Sequence, residues 1–366
     1  MDVADDNGKS LKAECFTLDV GQGACTILYL GDGRAVIIDT GPPSSAVPMQ
    51  FLQRYVKTID ALIISHNHDD HDGGVTMILQ MYPKAIRRIY FLRDGPARLN
   101  KTYRHTKRQW QAGHLLNEPE RLETTEKPRV LFPRPEDPPP PDRAEGISLR
   151  LYYPTMMDTL DAETEEASAS RQPNRTSAIL GLHCGERTLV FPGDASIEAW
   201  RKFHERVGRK MLADVLVVPH HAGGVSTPTR DEAANRELYE TILTPKVGII
   251  SVGTANTYKH PKPHAIESLR VTGTAVLCTQ MTLQCCSQLE HIRPGLITPY
   301  SPSQSSLVKS ETGSGKAKDV ACFGTVVIGI NPDELVIDRL DEHQQKVDGL
   351  IAAGYTPLCR PVRTLT

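Results

Sequence analysis

Residues 61–74 read ALIISHNHDDHDGG, an apolar run that ends in a dense group of histidines and aspartates. The apolar part, ALIIS, predicts a buried strand, because a short continuous apolar run is typical of a strand covered on both faces. The polar part has the spacing H-x-H-x-D-H from His66 to His71. Imidazole nitrogens and a carboxylate are ligands of Zn²⁺ and Mn²⁺, so the stretch predicts a metal site at the end of a strand.

The spacing of this motif divides its ligands between two positions. Side chains alternate in direction along an extended loop, so His66 and His68 face one way, while Asp70 and His71 can reach a second ion. Two glycines follow and permit a tight entry into a predicted helix. The alternative is a solvated polar loop whose histidines bind nothing.

Three other apolar runs are followed by residues of the same kind. Predicted helices lie between them, and alternating strands and helices indicate a layered α/β sheet. Because ligand sites in open α/β sheets form beyond the carboxyl ends of the strands, we expect all four strand ends to meet at one crevice. Asp194 suits a position between two cations, since a carboxylate offers two oxygens; a turn aspartate is the alternative. The runs are TLVFP (188–192) before Asp194, VLVVP (215–219) before His220 and His221, and VGIIS (247–251) before the segment 256–264.

The composition limits the class of protein. The chain has 366 residues and a net charge of −2, so it is no polycation that coats nucleic acid. Its length allows two domains, or one large α/β domain with an appendage. It has no run of about 18 apolar residues and no basic, apolar leader, so we expect neither a membrane span nor secretion. Eight cysteines at irregular spacing favour reduced thiols or metal ligands, and a cytoplasmic location.

Two stretches are predicted to be loops. Residues 128–142 contain seven prolines, which predicts that they lie outside the interior of any helix or strand. Residues 301–319 are polar and rich in serine and glycine, which predicts a mobile segment. Strand character resumes after it, and a helix is predicted around 341–353. Either loop is a candidate docking site for a protein partner, although no chemistry identifies one.

Six motifs, in their order along the chain, resemble those of the metallo-β-lactamase superfamily. Within it the chain is most similar to the hydrolase domain of ComEC-type competence proteins and their stand-alone relatives, over residues 12–285. The resemblance implies an α/β fold, an αββα sandwich with a dinuclear metal site on its edge and a small C-terminal appendage. It implies a hydrolase domain at 12–295, with an insertion at 92–142, and a mobile loop with the appendage at 296–366. The motifs are LDVGQG (18–23), IIDTG (37–41), SHNHDDHDGG (65–74), FPGD (191–194), VPHHAGG (218–224) and SVGTANTYKHP (251–261).

The resemblance also implies a set of metal ligands. Two histidines would bind the first ion, an aspartate and a histidine the second, and one further aspartate would bridge them. One histidine of the pair after VLVVP would complete the second site, and the motif does not say which. In the same order, these residues are His66 and His68; Asp70 and His71; Asp194; and His220 or His221.

The chain departs from the superfamily at one expected ligand. Another metal-binding histidine usually lies between the first cluster and the bridging aspartate, and Asn174 or Ser177 occupies that neighbourhood here. The ComEC-type relatives also have Asn or Ser there. A site poorer in nitrogen is expected to hold its ion more weakly and to prefer Mn²⁺ over Zn²⁺. The membrane channel of ComEC proteins is absent from the sequence, so we do not expect a role in DNA uptake to carry over.

Two cations with a bridging water suit in-line hydrolysis of a phosphodiester, and also of esters, thioesters or amides. Asp70 can orient the water as well as bind metal. His260 is a candidate for protonating the leaving group or binding a phosphate oxygen, with a helix-capping role as the alternative. Lys259 adds a cation to the cleft unless it is a solvated loop lysine. The residues expected around the substrate are Asn174, Ser177, Asn256, Tyr258 and Lys259.

The insertion contains the sequence feature that favours nucleic acid. Its first part combines cations with Tyr103 and Trp110. We expect it to hang over the cleft, where the cations neutralise phosphates and the rings stack on bases. An exposed amphipathic helix with solvated charges is the alternative. The cations are Lys101, Arg104, Lys107 and Arg108.

A further metal site is predicted in the last quarter of the chain. Four cysteines there would hold a structural zinc ion that pins the tail onto the sandwich. Their spacing matches no known ribbon or finger, and buried free thiols are the alternative. These cysteines are Cys278, Cys285, Cys322 and Cys359.

Three functions are therefore open. The first is a metal-dependent phosphodiesterase, foremost a nuclease acting on DNA. The second is a hydrolase of a small substrate such as a cyclic nucleotide, a phosphocholine ester or a lactam. The third is a partner subunit whose weakened first metal site reflects lost activity. Metal content separates the third from the others, and cleavage of DNA separates the first two.

Overall fold

The computed structural model describes residues 13–92, 101–164, 172–254, 256–285 and 321–360. Within these residues the apolar runs form the strands of two sheets. The strands are β1 Ala13–Thr17, β2 Thr26–Gly31, β3 Arg34–Ile38, β4 Thr58–Ile64, β5 Ile86–Phe91, β6 Glu120–Arg121, β7 Arg129–Phe132, β8 Ile147–Tyr153, β9 Ile179–Cys184, β10 Arg187–Phe191, β11 Met211–Val217, β12 Leu243–Ile250, β13 Ala275–Cys278, β14 Val326–Ile330 and β15 Leu335–Ile337.

Each sheet mixes antiparallel and parallel pairs. The first has the order β15-β14-β1-β2-β3-β4-β5-β6, and its strands from β3 onward are parallel. The second has the order β13-β12-β11-β10-β9-β8-β7, and β10 to β13 are parallel. Parallel strands present their carboxyl ends at one edge, where the predicted site residues follow.

Helices cover the outer faces of both sheets. They are α1 Val47–Tyr55, α2 Asp69–Asp72, α3 Val75–Met81, α4 Lys101–Gln111, α5 Met156–Thr164, α6 Gln172–Thr176, α7 Ile197–Val207, α8 Asp231–Glu237, α9 Pro263–Arg270 and α10 Leu340–Ala352.

Three apolar cores show the order of the layers. Leu62 packs with Leu52 of α1, whereas its neighbour Ile63 packs with Leu180 of the other sheet. Adjacent residues of β4 thus face opposite sides, as the period of two in a strand requires. Trp200 of α7 lies in the third core, on the outer face of the second sheet. The layers are helix, sheet, sheet and helix, which confirms the predicted αββα sandwich.

The proline-rich stretch is not wholly a loop. Residues Arg129–Phe132 form β7, so the expectation that 128–142 lies outside every strand is wrong. β7 is an edge strand that pairs only with β8, and Pro128 and Pro133 flank it. An edge strand needs hydrogen bonds on one side alone, which explains how it tolerates flanking prolines.

The described part of the predicted appendage is built into the sandwich. β14 pairs with β1, and β15 pairs with β14, so residues 326–337 widen the first sheet. α10 follows, and its Leu350 packs into the core outside the second sheet. The predicted boundary at 295–296 and the predicted mobile segment 301–319 lie outside the described residues. In the described ranges, no helix is both long and apolar enough to cross a bilayer.

Candidate metal centre

Strand ends bring metal-ligand side chains together at one edge of the sandwich. β4 leads to the motif at 66–71, β10 to Asp194, and β11 to His220 and His221. Among the described residues, two groups have ligand atoms within 4.8 Å of one another, and His71 belongs to both. The first group is His66, His71 and Asp194; the second is Asp70, His71 and His221.

Asp194 lies between two sets of imidazoles and is only 3 % exposed. Its Oδ1 is 3.1 Å from Nε2 of His71 and 3.8 Å from Nε2 of His221. Its Oδ2 is 3.6 Å from Nε2 of His66 and 3.7 Å from Nε2 of His220. Each carboxylate oxygen therefore faces a different pair of nitrogens.

The loop that carries Asp194 is held by Ser177. The hydroxyl of Ser177 accepts a hydrogen bond from the Asp194 amide at 2.9 Å and donates one to the Pro192 carbonyl at 3.1 Å. Gly193 has a φ of 52°, and a Cβ there would lie 2.5 Å from the hydroxyls of Ser177 and Ser65. Ser177 is fully buried, so the structure places it behind the metal ligands and not on the substrate side, where the sequence had placed it.

Asp39 orients His71 and was missed by the sequence prediction. Its Oδ2 accepts a hydrogen bond from Nδ1 of His71 at 2.7 Å, which leaves Nε2 of that ring facing Asp194. The Ser65 amide and hydroxyl also donate to Asp39, both at 2.7 Å. A carboxylate behind a histidine ligand fixes its tautomer and raises its basicity. The sequence feature that could have identified Asp39 is its position directly after β3, at the same edge as the other strand-end candidates.

The rings of His220 and His221 both turn Nε2 toward Asp194, at 3.7 and 3.8 Å from its carboxylate oxygens. Both residues have left-handed backbone angles, with φ of 52° and 54°. Nδ1 of His221 donates to the Ser251 carbonyl at 2.8 Å, and its Nε2 lies 3.3 Å from Oδ2 of Asp70. Nδ1 of His220 donates to the Gly224 carbonyl at 2.7 Å. Each ring thus uses one nitrogen on the backbone and turns the other inward.

The charges of the cluster polarise its members. Burial opposes ionisation of Asp194, yet the imidazoles of His71, His220 and His66 hold the pKa of its carboxyl well below the usual range. Burial lowers the pKa of His71, but Asp194 and Asp39 outweigh it and raise that pKa well above its usual value. The charged forms of Asp194 and His71 therefore stabilise each other.

Imidazoles without a close carboxylate respond in the opposite way. Burial and the neighbouring ring of His66 lower the pKa of His68 to about 4. Burial, with His220 and His221, lowers the pKa of His260 to about 3. These rings are neutral near pH 7, which is the form in which a histidine binds a metal ion or donates a hydrogen bond from one nitrogen.

The donor atoms fit a divalent cation. Nε2 of His71, Nε2 of His221 and Oδ1 of Asp194 are buried and have no hydrogen-bond partner. Leaving such atoms unpartnered is costly, and a cation between them satisfies all three. Nitrogen and carboxylate ligands of this kind suit Zn²⁺, Mn²⁺ or Fe²⁺. The residues present therefore fit a metal ion.

An open cleft of about 1090 Å³ leads to these donors. Gln22 and Arg175 line it, and the sequence prediction included neither. Both amide atoms of Gln22 and the Oδ1 of Asn174 are buried without a hydrogen-bond partner, so they are available to a ligand. Asn174, Tyr258 and His260 line the cleft as predicted substrate-side residues.

Two other predicted substrate contacts lie off the cleft. Asn256 closes its own loop: its Nδ2 donates to the carbonyls of Gly253 and His260, at 2.8 and 2.9 Å, and its Oδ1 accepts from the His260 amide. Lys259 has a φ of 57° and is exposed, and its side chain is not among those lining the cleft. Asn256 thus positions His260, and Lys259 fits the solvated-lysine alternative.

The basic helix α4 packs against the outer side of the first sheet. Tyr103 and Trp110 of α4 are partly buried and pack against the core beneath the first sheet, and Thr106 is fully buried. Lys107 forms an exposed ion pair with Glu118 at 3.6 Å. None of the described residues of 92–142 lines the cleft, and the expected overhang stays a prediction. The four predicted zinc ligands do not line the cleft either, and they lie near the end of β13.

The described residues thus form a two-sheet sandwich with helices outside and a histidine–aspartate cluster at one edge. The family model of the metallo-beta-lactamase superfamily matches residues 18–223. This match covers more than half of the chain, and the chain belongs to that superfamily.

Curated relatives agree with the resemblance to competence proteins. "Recombination protein 2" of Haemophilus influenzae is 25 % identical over 274 residues, which cover 73 % of this chain and 28 % of that protein. "Competence protein ComA" of Neisseria gonorrhoeae is 21 % identical over 268 residues, which cover 72 % of this chain and 30 % of that protein. The chain thus spans less than a third of the length of these two relatives.

Among solved structures, the metallo-beta-lactamase fold protein YhfI of Bacillus subtilis is similar to this chain. It has a TM-score of 0.42 and 12 % sequence identity, and the match covers 73 % of this chain and 95 % of YhfI.

Proposed function

We propose that the protein is a metal-dependent phosphodiesterase that acts on DNA with two divalent cations, zinc or manganese. The observation that carries the proposal is Asp194, whose two oxygens each face a separate pair of imidazole nitrogens. A carboxylate placed in this way suits two ions a few ångströms apart, the arrangement that phosphodiester hydrolysis uses.

The two positions divide the ligands evenly. His220 lies on the Oδ2 side of Asp194 and takes the place of the histidine that the superfamily usually has earlier in the chain. If His220 binds there, the first position gains a nitrogen ligand that the sequence analysis did not assign to it. We assign His66, His68, His220 and Asp194 Oδ2 to the first position, and Asp70, His71, His221 and Asp194 Oδ1 to the second.

When bound, divalent cations activate water as a nucleophile near neutral pH and stabilise charge on phosphate oxygens. Asp70 is 26 % exposed at the cleft, where its carboxylate can orient a water as well as hold metal. His260 is placed to donate its ring N–H to a phosphate or leaving-group oxygen. Arg175, Gln22 and Asn174 line the cleft and supply a cation and two amides that bind phosphate oxygens.

The names of the relatives support DNA as the substrate, since they refer to recombination and competence. The position of α4 supports the second candidate, a hydrolase of a small phosphodiester, ester or lactam, because its cations do not line the cleft. A catalytically weakened partner subunit is the third candidate, and it would purify without metal at this site.

The test is hydrolysis by the metal-loaded protein. Plasmid and single-stranded DNA, bis-p-nitrophenyl phosphate, a phosphocholine ester and a lactam are offered with Mn²⁺ or Zn²⁺. We expect cleavage of DNA, its loss in Asp70→Ala, and a lower metal content in His220→Ala. His264→Ala is the matched control, because His264 pairs with Asp231 at 2.8 Å and does not line the cleft. Turnover of the small substrates alone would overturn the DNA proposal.

Binding of DNA is tested separately on α4. Replacing Lys101, Arg104, Lys107 and Arg108 with alanine should weaken binding and flatten its salt dependence, because fewer phosphates are neutralised. An unchanged salt slope would remove α4 from the DNA-binding surface while leaving the proposed reaction standing.

A further inference from the structure

Four cysteines from four separate segments meet beside the end of the second sheet. Cys278 ends β13, Cys285 follows a short turn, Cys322 precedes β14 and Cys359 lies beyond α10. We propose that these four thiols bind one structural Zn²⁺, which joins the C-terminal segment to the second sheet. This site shares no residue with the metal centre of the proposed function.

The first two sulfurs already have the spacing of ligands to one ion. Sγ of Cys278 lies 3.9 Å from Sγ of Cys285. Zinc–sulfur bonds of about 2.3 Å in a tetrahedron place the sulfurs roughly 3.8 Å apart. The Thr282 hydroxyl donates to Sγ of Cys285 at 3.2 Å and accepts from the Cys285 amide at 3.1 Å, which fixes this thiol in the turn.

The backbone ties the other two cysteines to the same place. The Cys322 amide donates to the Thr279 carbonyl at 3.0 Å, and the Phe323 amide donates to the Cys278 carbonyl at 2.9 Å. The Leu358 amide, next to Cys359, donates to the Cys285 carbonyl at 2.9 Å. The segments that carry the four thiols are thus hydrogen-bonded to one another.

To complete a tetrahedron with Cys278 and Cys285, the sulfurs of Cys322 and Cys359 would have to change rotamer. Outside the metal centre, no three described residues have ligand atoms that all lie within 4.8 Å of one another. Any three of these four sulfurs therefore include one pair that is farther apart than 4.8 Å. Cys278, Cys285 and Cys322 are all less than 9 % exposed, so an ion there would be enclosed. Closed four-coordinate sulfur sites are typical of structural zinc.

Groups that stabilise thiolates surround the cluster. Nε2 of His343 lies 3.5 Å from Sγ of Cys322, and the Lys346 ammonium donates to the Cys322 carbonyl at 2.5 Å. The Arg270 guanidinium donates to the Arg360 carbonyl at 2.6 Å, beside Cys359. Zinc with four thiolates has a net charge of −2, and these donors offset it.

The site has a consequence for the metal centre. Thr279, next to Cys278, accepts a hydrogen bond from the Val252 amide at 2.9 Å, and Gln280 accepts one from the Thr254 amide at 2.7 Å. These bonds hold the start of the loop that carries Tyr258 and His260. An ion at the cysteines would therefore stiffen one wall of the cleft.

The test is cobalt substitution in the full-length protein. Thiolate ligands give tetrahedral Co²⁺ an intense near-ultraviolet charge-transfer band, and the histidine–aspartate centre has no sulfur to give one. We expect the band in the wild type and in Cys184→Ser, a matched control that alters a buried strand cysteine. It should vanish in the double variant Cys322→Ser/Cys359→Ser, together with one zinc atom per chain. A wild type that binds Co²⁺ without this band would overturn the proposal.

A second measurement, on the wild-type protein, tests the proposal even if the double variant fails to fold. Wild-type protein is titrated with p-hydroxymercuribenzoate while released zinc is read with a metallochromic dye. Release of one zinc as four thiols react supports the site. Reaction of the thiols without zinc release, or a Cys278–Cys285 disulfide in the non-reduced protein, would overturn it.

Discussion

The histidine–aspartate centre and the cysteine cluster occupy the same edge of the second sheet but differ in their exposure and in the type of atom that would bind metal. Ile250, which ends β12 beside the centre, pairs with Cys278 of β13 in register. The centre opens into a cleft of about 1090 Å³, whereas three of the four cysteines belong to a buried apolar core. An open site with nitrogen and oxygen ligands suits catalysis, and a closed site with sulfur ligands suits structure.

The two clusters also orient their ligands differently. At the centre, Asp39 and backbone carbonyls each take one imidazole nitrogen and turn the other inward. At the cysteines, apolar packing and three backbone hydrogen bonds hold the segments, and the sulfurs themselves have few fixed partners. A reaction requires donors aligned before substrate arrives, while a structural ion can align its own ligands on binding.

The largest expected effect is at Asp194. Asp194→Ala should reduce turnover by about 10³-fold or more, because it removes an oxygen from both metal positions. The cobalt–sulfur band of the cysteine cluster should persist, which the absorption spectrum checks. Asp214→Ala, at a surface ion pair with Lys246, is the control. More than a tenth of wild-type turnover in Asp194→Ala would refute the shared role of the carboxylate.

Metal removal should separate the two clusters. Dipicolinate should abolish turnover, because it reaches the ions of the open centre first, and should lower Tm less than a thiol reagent does. A mercurial thiol reagent should instead lower Tm by about 5 °C or more, as expected for loss of a few kcal/mol. Calorimetry and metal analysis after each treatment check this. The distinction fails if dipicolinate lowers Tm as much as the mercurial does.

A smaller effect on metal affinity or turnover is expected at Asp39, which accepts a hydrogen bond from the candidate ligand His71. Asp39→Asn should reduce metal affinity or turnover about 10- to 100-fold, because it weakens the orientation of His71 without removing a ligand. Metal titration followed by calorimetry measures the affinity. Asp60→Asn is the matched change at a buried carboxylate paired with Arg34 and should leave affinity unchanged. Equal affinity in wild type and Asp39→Asn would show that Asp39 does not act through His71.

The smallest effect is expected away from both clusters. Burial opposes ionisation of Asp158, but hydrogen bonds from Lys202, Thr155 and Arg206 hold its pKa below the usual value. A depressed folded pKa gives stability above the unfolded pKa of about 4 that is lost as the pH falls through the folded pKa. Asp158→Asn should therefore lower stability by about 1–2 kcal/mol at pH 7. The difference should begin to shrink near pH 4 and vanish once the pH is below the depressed pKa of folded Asp158. Denaturant titrations at several pH values test this, and a difference that grows in acid would contradict it.

The pattern of apolar runs predicted a layered α/β sheet and the edge where the candidate site lies, while the resemblance to the metallo-β-lactamase superfamily implied the sandwich. Strands such as β4 and β11 follow from short apolar runs, and the ligands at 66–71 and Asp194 follow directly after such runs. These features depend on neighbours in the chain, through the period of a strand and the direction of consecutive side chains. That is why they could be inferred without coordinates.

Only the tertiary structure decided how distant residues meet. Ser177 resembled a substrate contact yet lies behind Asp194, and Tyr103 resembled a stacking platform yet is partly buried against the core. The sequence did not say which of His220 and His221 faces the site. In the structure both residues have left-handed backbone angles, and both rings face Asp194. Such placements result from packing between segments far apart in the chain. A local pattern carries no record of that packing.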